Sequence, residues 1–264
     1  MKAFLDRFKG FRLALTFLTI LPSGRSEWTE ENARNAFFYF PAVGAIIGVL
    51  TAGSVLPTAF VLDLPSYITA FLSLAIFIIM SGGIHLDGWM DVSDAVGSWK
   101  NRQKRIEILK DSQVGAAAVW SVLLLLLGKF VFILYVIEES STAWLLFIII
   151  PLLSRFVMAL LLMGAPLLKK EGLAAWFQKR VKRHDRLIIM GSTGLLLFIL
   201  HFSTATYWIG LLLLGTAIFL LSVLKRIFIK LFGGVNGDMA GALSEGTEVL
   251  LWLMSVLYIS FVTG

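Results

Sequence analysis

The residues best placed to do chemistry follow the second long apolar run: Gly82-Gly83-Ile84-His85-Leu86-Asp87-Gly88-Trp89-Met90-Asp91-Val92-Ser93-Asp94. Asp87, Asp91 and Asp94 are spaced by four and three. On a helix, at 100° per residue, Asp91 lies ~40° from Asp87 and Asp94 returns to within ~20° of it, so all three share a face. Like charges so placed repel. A bound cation relieves that repulsion, and hard oxygen ligands favour Mg²⁺. The competing reading is a solvated loop answered by Lys100, Arg102, Lys104 and Arg105. His85 could be a ligand, a proton carrier or an interfacial hydrogen-bonding side chain.

A second constellation opens the last apolar run, Gly233-Gly234-Val235-Asn236-Gly237-Asp238-Met239-Ala240-Gly241-Ala242-Leu243-Ser244-Glu245-Gly246-Thr247-Glu248. Asp238 and Glu245 are seven apart and share a face, which Glu248 continues. A carboxylate inside a membrane helix costs about 2.5–3.5 kcal/mol on insertion scales, so these acids require a polar cavity, a cation or a metal. The glycines permit close backbone approach and leave N–H groups free for an anion near the helix start. A plain capped helix with Asp238 as N-cap is the alternative. Lys129 and Arg155 also lie within apolar runs; they either pair with Glu245 and Glu248 or hold the phosphates of an anionic substrate. Lys110 either meets phosphate or snorkels at a helix end.

These residues must be positioned by membrane helices. Of the 264 residues, 58% are hydrophobic and 15% charged, with a mean hydropathy of +0.86, which excludes water-soluble classes. The absence of Cys excludes disulfides, thiolate metal sites and a Cys nucleophile. Apolar windows of the length needed to cross a bilayer fall at about 37–62, 66–84, 114–137, 142–163, 187–202, 206–224 and 241–262. The fifth is the weakest, being short and interrupted by Gly191 and Gly194.

Charge supports alternation of these windows. Lys2, Arg7, Lys9, Arg12, Arg25 and Arg34 precede the first; Lys100 to Lys110, Lys169 to Arg186, and Lys225 to Lys230 follow the second, fourth and sixth. The opposite connections hold Asp63, then Glu138 and Glu139, then His201. The basic side is cytoplasmic, which places the N-terminus and the chemistry-bearing loops inside and the C-terminus outside. The net charge of +6 therefore reads as topology and attraction to anionic lipid rather than nucleic-acid binding. Phe4, Phe8, Phe11, Leu15 and Leu18 form one stripe, predicting an N-terminal interfacial helix, and 172–181 reads either as a second interfacial piece or as a solvated loop. The predicted architecture is all-α: one polytopic integral membrane domain over 1–264, with a cytoplasmic or interfacial segment at 1–36 and a bundle of about seven transmembrane helices at 37–262.

The motifs resemble those of the cobalamin synthase family, adenosylcobinamide-GDP ribazoletransferases of vitamin B12 assembly. GGIHLDGWMDVSD at 82–94 is similar to the family's GGxHLDGxxDxxD block, EILKDSQVGA at 107–116 to its E-I-(M/L)-(K/R)-D-S-x-x-G-(A/T) block, and GGVNGDMAGALSEGTE at 233–248 to GGxTGDxxGAxxExxE. FLTILP at 17–22 and FPAVG at 40–44 resemble two N-terminal pieces, and Lys129 and Ser154-Arg155 fall where the family has an intramembrane Lys and a Ser-Arg pair. The chain departs from the pattern at Ala95, Gln113, Asn236 and Met239. Those departures bear on substrate grip or rate more than on reaction class, because every carboxylate of both blocks survives.

The resemblance implies that adenosylcobinamide-GDP and α-ribazole, or its 5'-phosphate, give adenosylcobalamin, or its phosphate, plus GMP, with Mg²⁺ at the bacterial cytoplasmic membrane. It implies Asp87, Asp91, Asp94, Asp238, Glu245 and Glu248 as the metal set, and Asp94, Asp238 and His85 as catalytic. Lys110, Ser112, Lys129, Arg155, Gly234 and Gly237 are then the substrate contacts. Membrane lipid is an expected partner, nucleic acid is not, and a homo-oligomer is compatible with the reading. Two rivals are set against it. A phospholipid synthase using a CDP-alcohol also carries Asp clusters at a membrane face, but its DGxxAR pattern is absent, since Trp89-Met90-Asp91 follows Asp87-Gly88. A cation-coupled transporter would run its path along Glu245, Glu248, Lys129 and Arg155.

Overall fold

A computed structural model describes residues 2–24, 27–60, 62–140, 143–202 and 207–263; Arg25, counted above among the basic residues, lies outside the described residues. Among the described residues the named elements are all helical: α1 (Lys2–Leu18), α2 (Glu30–Phe37), α3 (Phe40–Phe60), α4 (Ser66–Met80), α5 (Ile84–Gly97), α6 (Arg102–Ile108), α7 (Ala116–Glu139), α8 (Ala143–Gly164), α9 (Leu173–Gln178), α10 (Asp185–Phe202), α11 (Tyr207–Phe232) and α12 (Gly237–Tyr258), which runs into a π-helical turn at Ile259–Thr263. Among the described residues each of the seven apolar windows contains a helix. By length and composition, four helices can cross a membrane alone: α7, α8, α11 and α12. Two bent pairs, α2 with α3 at 60° and α4 with α5 at 88°, bring the count to as many as six.

α8 is the axis of the bundle, enclosed along almost its whole length, whereas α11 presents most of its apolar surface outward. The closest neighbour of α8 is α3, and the sequence Gly44-Ala45-Ile46-Ile47-Gly48 explains why. A Cβ at Gly44 would collide with the Pro151 carbonyl and one at Gly48 with the Phe147 carbonyl. Proline has no N–H, so Pro151 leaves the Phe147 carbonyl without its helical donor. Glycines four apart bring the α3 backbone against that uncovered surface, which is how small residues pack membrane helices. Phe147 completes the layer, stacked on Phe77 at 5.9 Å and edge-on to Trp252 at 5.2 Å.

α1 is a helix whose buried residues include Gly10, Leu13, Ala14 and, from the predicted stripe, Leu18; Phe11 and Leu15 pack partly buried against the same core, and Phe8 remains half exposed. Small residues decide this: the place a Gly10 Cβ would occupy is 2.6 Å from Asn35 Cβ, so α1 lies tightly on α2. The segment at 172–181 forms the short helix α9. Its Phe177 is buried against Phe17, Phe37 and Phe40, with centroids at 4.8, 5.6 and 6.4 Å. Aromatic packing, rather than a solvated loop, holds α9 beneath α1–α3.

Candidate active site

The Gly82-Gly83 pair ends α4 with φ of 62° and 72°, left-handed values that favour glycine. That turn sends α5 off at 88° and lays it along the start of α12. The two helices touch through backbone: a Cβ at Gly88 would lie 2.5 Å from the Asp238 carbonyl oxygen, and one at Gly241 3.1 Å from His85 Cα. The glycines of both sequence blocks therefore interlock, and each block positions the other's aspartates.

Four aspartates result, with different surroundings. Asp87 is exposed and Asp91 half-buried, and neither carboxylate has a hydrogen bond or ion pair among the described residues. Asp91 is repelled by Asp87, Asp238 and Asp94. Asp238 is half-buried; its Oδ2 accepts from Asn236 Nδ2 at 2.6 Å. The cap of α12 is Asn236, whose Oδ1 accepts from the Met239 N–H at 3.1 Å, so Asp238 is relieved of the capping role. Asp94 differs from the expectation of a base or ligand: its Oδ2 accepts from the Gly115 N–H at 2.5 Å and its Oδ1 from the Ala118 N–H at 2.9 Å. It caps α7 from a neighbouring helix, where the free N–H groups and the helix dipole both favour an anion.

Glu245 and Glu248, expected in the metal set, are held elsewhere. Lys129 Nζ donates to Glu245 Oε2 and Glu248 Oε2, each at 2.6 Å. Arg155 Nη1 pairs with Glu248 Oε1 and donates to Ser154 Oγ at 2.8 Å; Ser154 donates to Glu248 Oε1 at 3.1 Å. Arg155 Nη2 lies 3.2 Å from His85 Nδ1. Guanidinium can only donate, so Nδ1 accepts and the imidazole proton sits on Nε2. All six residues are buried, and two cations balance two anions. Of the two roles open to Lys129 and Arg155, the structure displays the ion pairing. Among the described residues, no three His, Asp or Glu side chains converge to form a metal cage.

Beside the acid face, a cavity of about 360 Å³ opens over the start of α12. Lys110, Lys169, Glu171, Asn236, Gly237 and Asp238 supply its polar lining, and Phe17, Leu109, Leu162 and Phe177 are among its apolar walls. Asp238 belongs to both the cavity and the acid cluster. Lys110 and Gly237 stand where phosphate contacts were expected. Ser112 is exposed and does not line this cavity. Gly234 builds the wall: its missing Cβ would lie 2.5 Å from the Leu167 carbonyl carbon, where Leu168 N–H donates to Val235 O at 2.8 Å and Val235 N–H to Pro166 O at 2.9 Å.

Lys169 and Glu171 are functional candidates that sequence reasoning missed, because nothing in a run of loop charges marks which ones face a cavity. Also missed was a brace at the same end of the bundle. Arg34 Nε and Nη2 grip buried Asp185 at 2.7 and 2.6 Å. Burial disfavours the Asp185 carboxylate, yet the Arg34 pair and the Lys182 N–H hold its pKa below the usual carboxylate range. Glu30 is likewise lowered, by hydrogen bonds from Lys179 and Arg180. Arg102 Nε donates to Phe232 O at 2.6 Å and ties α6 to the end of α11.

Comparison with known proteins identifies the family. Residues 10–256 match the family model described as cobalamin-5-phosphate synthase. The chain belongs to that family. It is 39% identical to the adenosylcobinamide-GDP ribazoletransferase of Geobacillus sp. (strain WCH70), over 97% of this chain and 98% of the relative. Proteins of the same description from Clostridium perfringens (strain 13 / Type A) and Acinetobacter baumannii (strain ACICU) are 34% and 33% identical, over 92% and 94% of this chain and 97% of each relative. No solved structure matches.

Proposed function

We propose that the chain joins adenosylcobinamide-GDP to α-ribazole, or its 5'-phosphate, at the cytoplasmic face of the bacterial inner membrane. The carrying observation is the acid face: Asp87, Asp91 and Asp238 gathered by glycine-mediated contact of two helices, beside a cavity with two lysines. The ribazole hydroxyl oxygen bonds to the cobinamide-linked phosphorus, the bond from that phosphorus to the bridging oxygen breaks, and GMP leaves with that oxygen.

Asp238 takes the hydroxyl proton, since Asp94 is committed to the α7 backbone and Asp238 alone is common to the acid cluster and the cavity. Lys110 and Lys169 steady the phosphates. Asp87 and Asp91 fit Mg²⁺, which is commonly bound by one or two carboxylates plus substrate phosphates rather than a closed protein cage; when bound, it would neutralise charge on the phosphoryl oxygens. The pairing of Glu245 and Glu248 with Lys129 and Arg155 supports leaving them out of that set. The buried network acts one layer below, fixing α5 to α8 and α12.

The seven-span arrangement with an inside N-terminus is part of the proposal, supported by the one-sided basic loops. The outward apolar surface of α11, with Leu211 and Phe219 exposed, supports contact with lipid. The deciding experiment gives purified full-length protein in lipid both substrates and follows the products. Corrinoid product with one GMP per turnover is expected, and folded protein that releases none overturns the reading.

A further inference from the structure

The cavity beside Asp238 measures about 360 Å³, within the range that takes a small ligand and too little for a corrin ring with its adenosyl group. Resting on the transferase reading, two pieces of the reaction are small enough: the nucleotide that leaves as GMP and the ribazole acceptor. The lining separates them. Lys110, Lys169 and the free N–H groups of Gly237 and Asp238 at the α12 start suit a phosphate. Glu171 adds an acceptor. Guanine presents N1–H and an exocyclic amine along one edge, a pair that a carboxylate accepts, whereas the methylated benzimidazole of ribazole offers no ring donor. A carboxylate facing that ring forgoes its hydrogen bonds, and such a loss is what discriminates between ligands. Phe17 supplies an apolar wall for a flat base.

We propose that this cavity is a guanine-nucleotide subsite, in which Lys110 and Lys169 meet the phosphate of the GMP half and Glu171 reads the guanine edge.

The test is equilibrium binding of GMP, IMP and α-ribazole to the detergent-solubilised full chain. IMP lacks the exocyclic amine and is expected to bind roughly tenfold more weakly than GMP. Glu171→Ala removes that preference, and Lys169→Ala weakens GMP and IMP alike by roughly tenfold. Both side chains are exposed, so an unchanged melting temperature in detergent shows that folding is intact. Competitive displacement of GMP by α-ribazole overturns the proposal, as does GMP affinity that neither variant alters. A wild-type chain that binds GMP with this selectivity but forms no corrinoid product defeats the transferase reading alone; one that turns over while GMP binding ignores both variants defeats the subsite alone.

Discussion

α12 carries acids of two kinds on one helix. Asp238, in its first turn, keeps company with the partnerless Asp87 and Asp91; two turns deeper, Glu245 and Glu248 have their charges met by Lys129 and Arg155. Sequence spacing makes all of them equivalent members of one face. The structure divides them by whether a cation is already supplied. Paired acids deep in the bundle brace helices, and the proposed function assigns the unpaired acids at its edge to a ligand.

The division is broken most directly at the unpaired set. Asp87→Asn and Asp91→Asn remove charge without volume, and each is expected to lower turnover by roughly 10³-fold or more. The melting temperature in detergent should hold or rise, because like-charge repulsion is relieved. Near-normal turnover at limiting Mg²⁺ in either variant would remove that residue from the ligand set.

The paired set should respond in stability instead. Glu248→Ala strands Arg155 in the core, while Lys129 keeps Glu245, and breaking a buried pair this way costs about 3–5 kcal/mol. Arg155→Ala in the same background should recover part of that loss, a coupling read from a double-mutant cycle. Arg155→Lys keeps the charge but not the planar fork that reaches Ser154, Glu248 and His85 together. Lowered stability with unchanged affinity for the diphosphate substrate is expected, and the reverse would move Arg155 from the brace to the substrate.

Much of this was legible because ionised groups stand out in an apolar chain. The seven windows, the helical acid block and the intramembrane Lys and Arg were all visible before any coordinates. Spacing placed Glu245 and Glu248 on one face, but a face does not name its partner, and Lys129 is more than a hundred residues away in sequence. The 88° turn was hidden because a hydropathy window from 66 to 84 reads straight through Gly82-Gly83. The role of Asp94 was hidden for a different reason: its partners are backbone N–H groups, which every residue but proline possesses.

Asp94 sharpens the comparison, since it sits in the acid block yet is satisfied. An Asn side chain has one acceptor oxygen and can keep one of these two bonds, whereas Ala loses both, for about 0.5–2 kcal/mol. Asp94→Asn should therefore lose less stability than Asp94→Ala, with activity in both falling far less than for Asp91→Asn. If Asp94→Asn proves as inactive as Asp91→Asn, its charge serves the ligand and not the cap.

The smallest expected effect lies at the Arg34–Asp185 brace, the counterpart of the deep pairs just before the apolar run of α10. A carboxylate whose pKa is depressed in the folded state releases its proton more readily there than in the unfolded chain, where the ordinary value is about 3.9. Its stabilising contribution is complete above that value and disappears as pH falls through the lower, folded one. Asp185→Asn should thus lower the melting temperature by roughly 2–4 °C near neutral pH, and the gap from wild type should close in acid below about pH 4. Glu30, also lowered by its cations, is present in both proteins and cancels in the difference. A gap that stayed constant down to pH 2 would mean that Asp185 acts through packing and its backbone hydrogen bond rather than through charge.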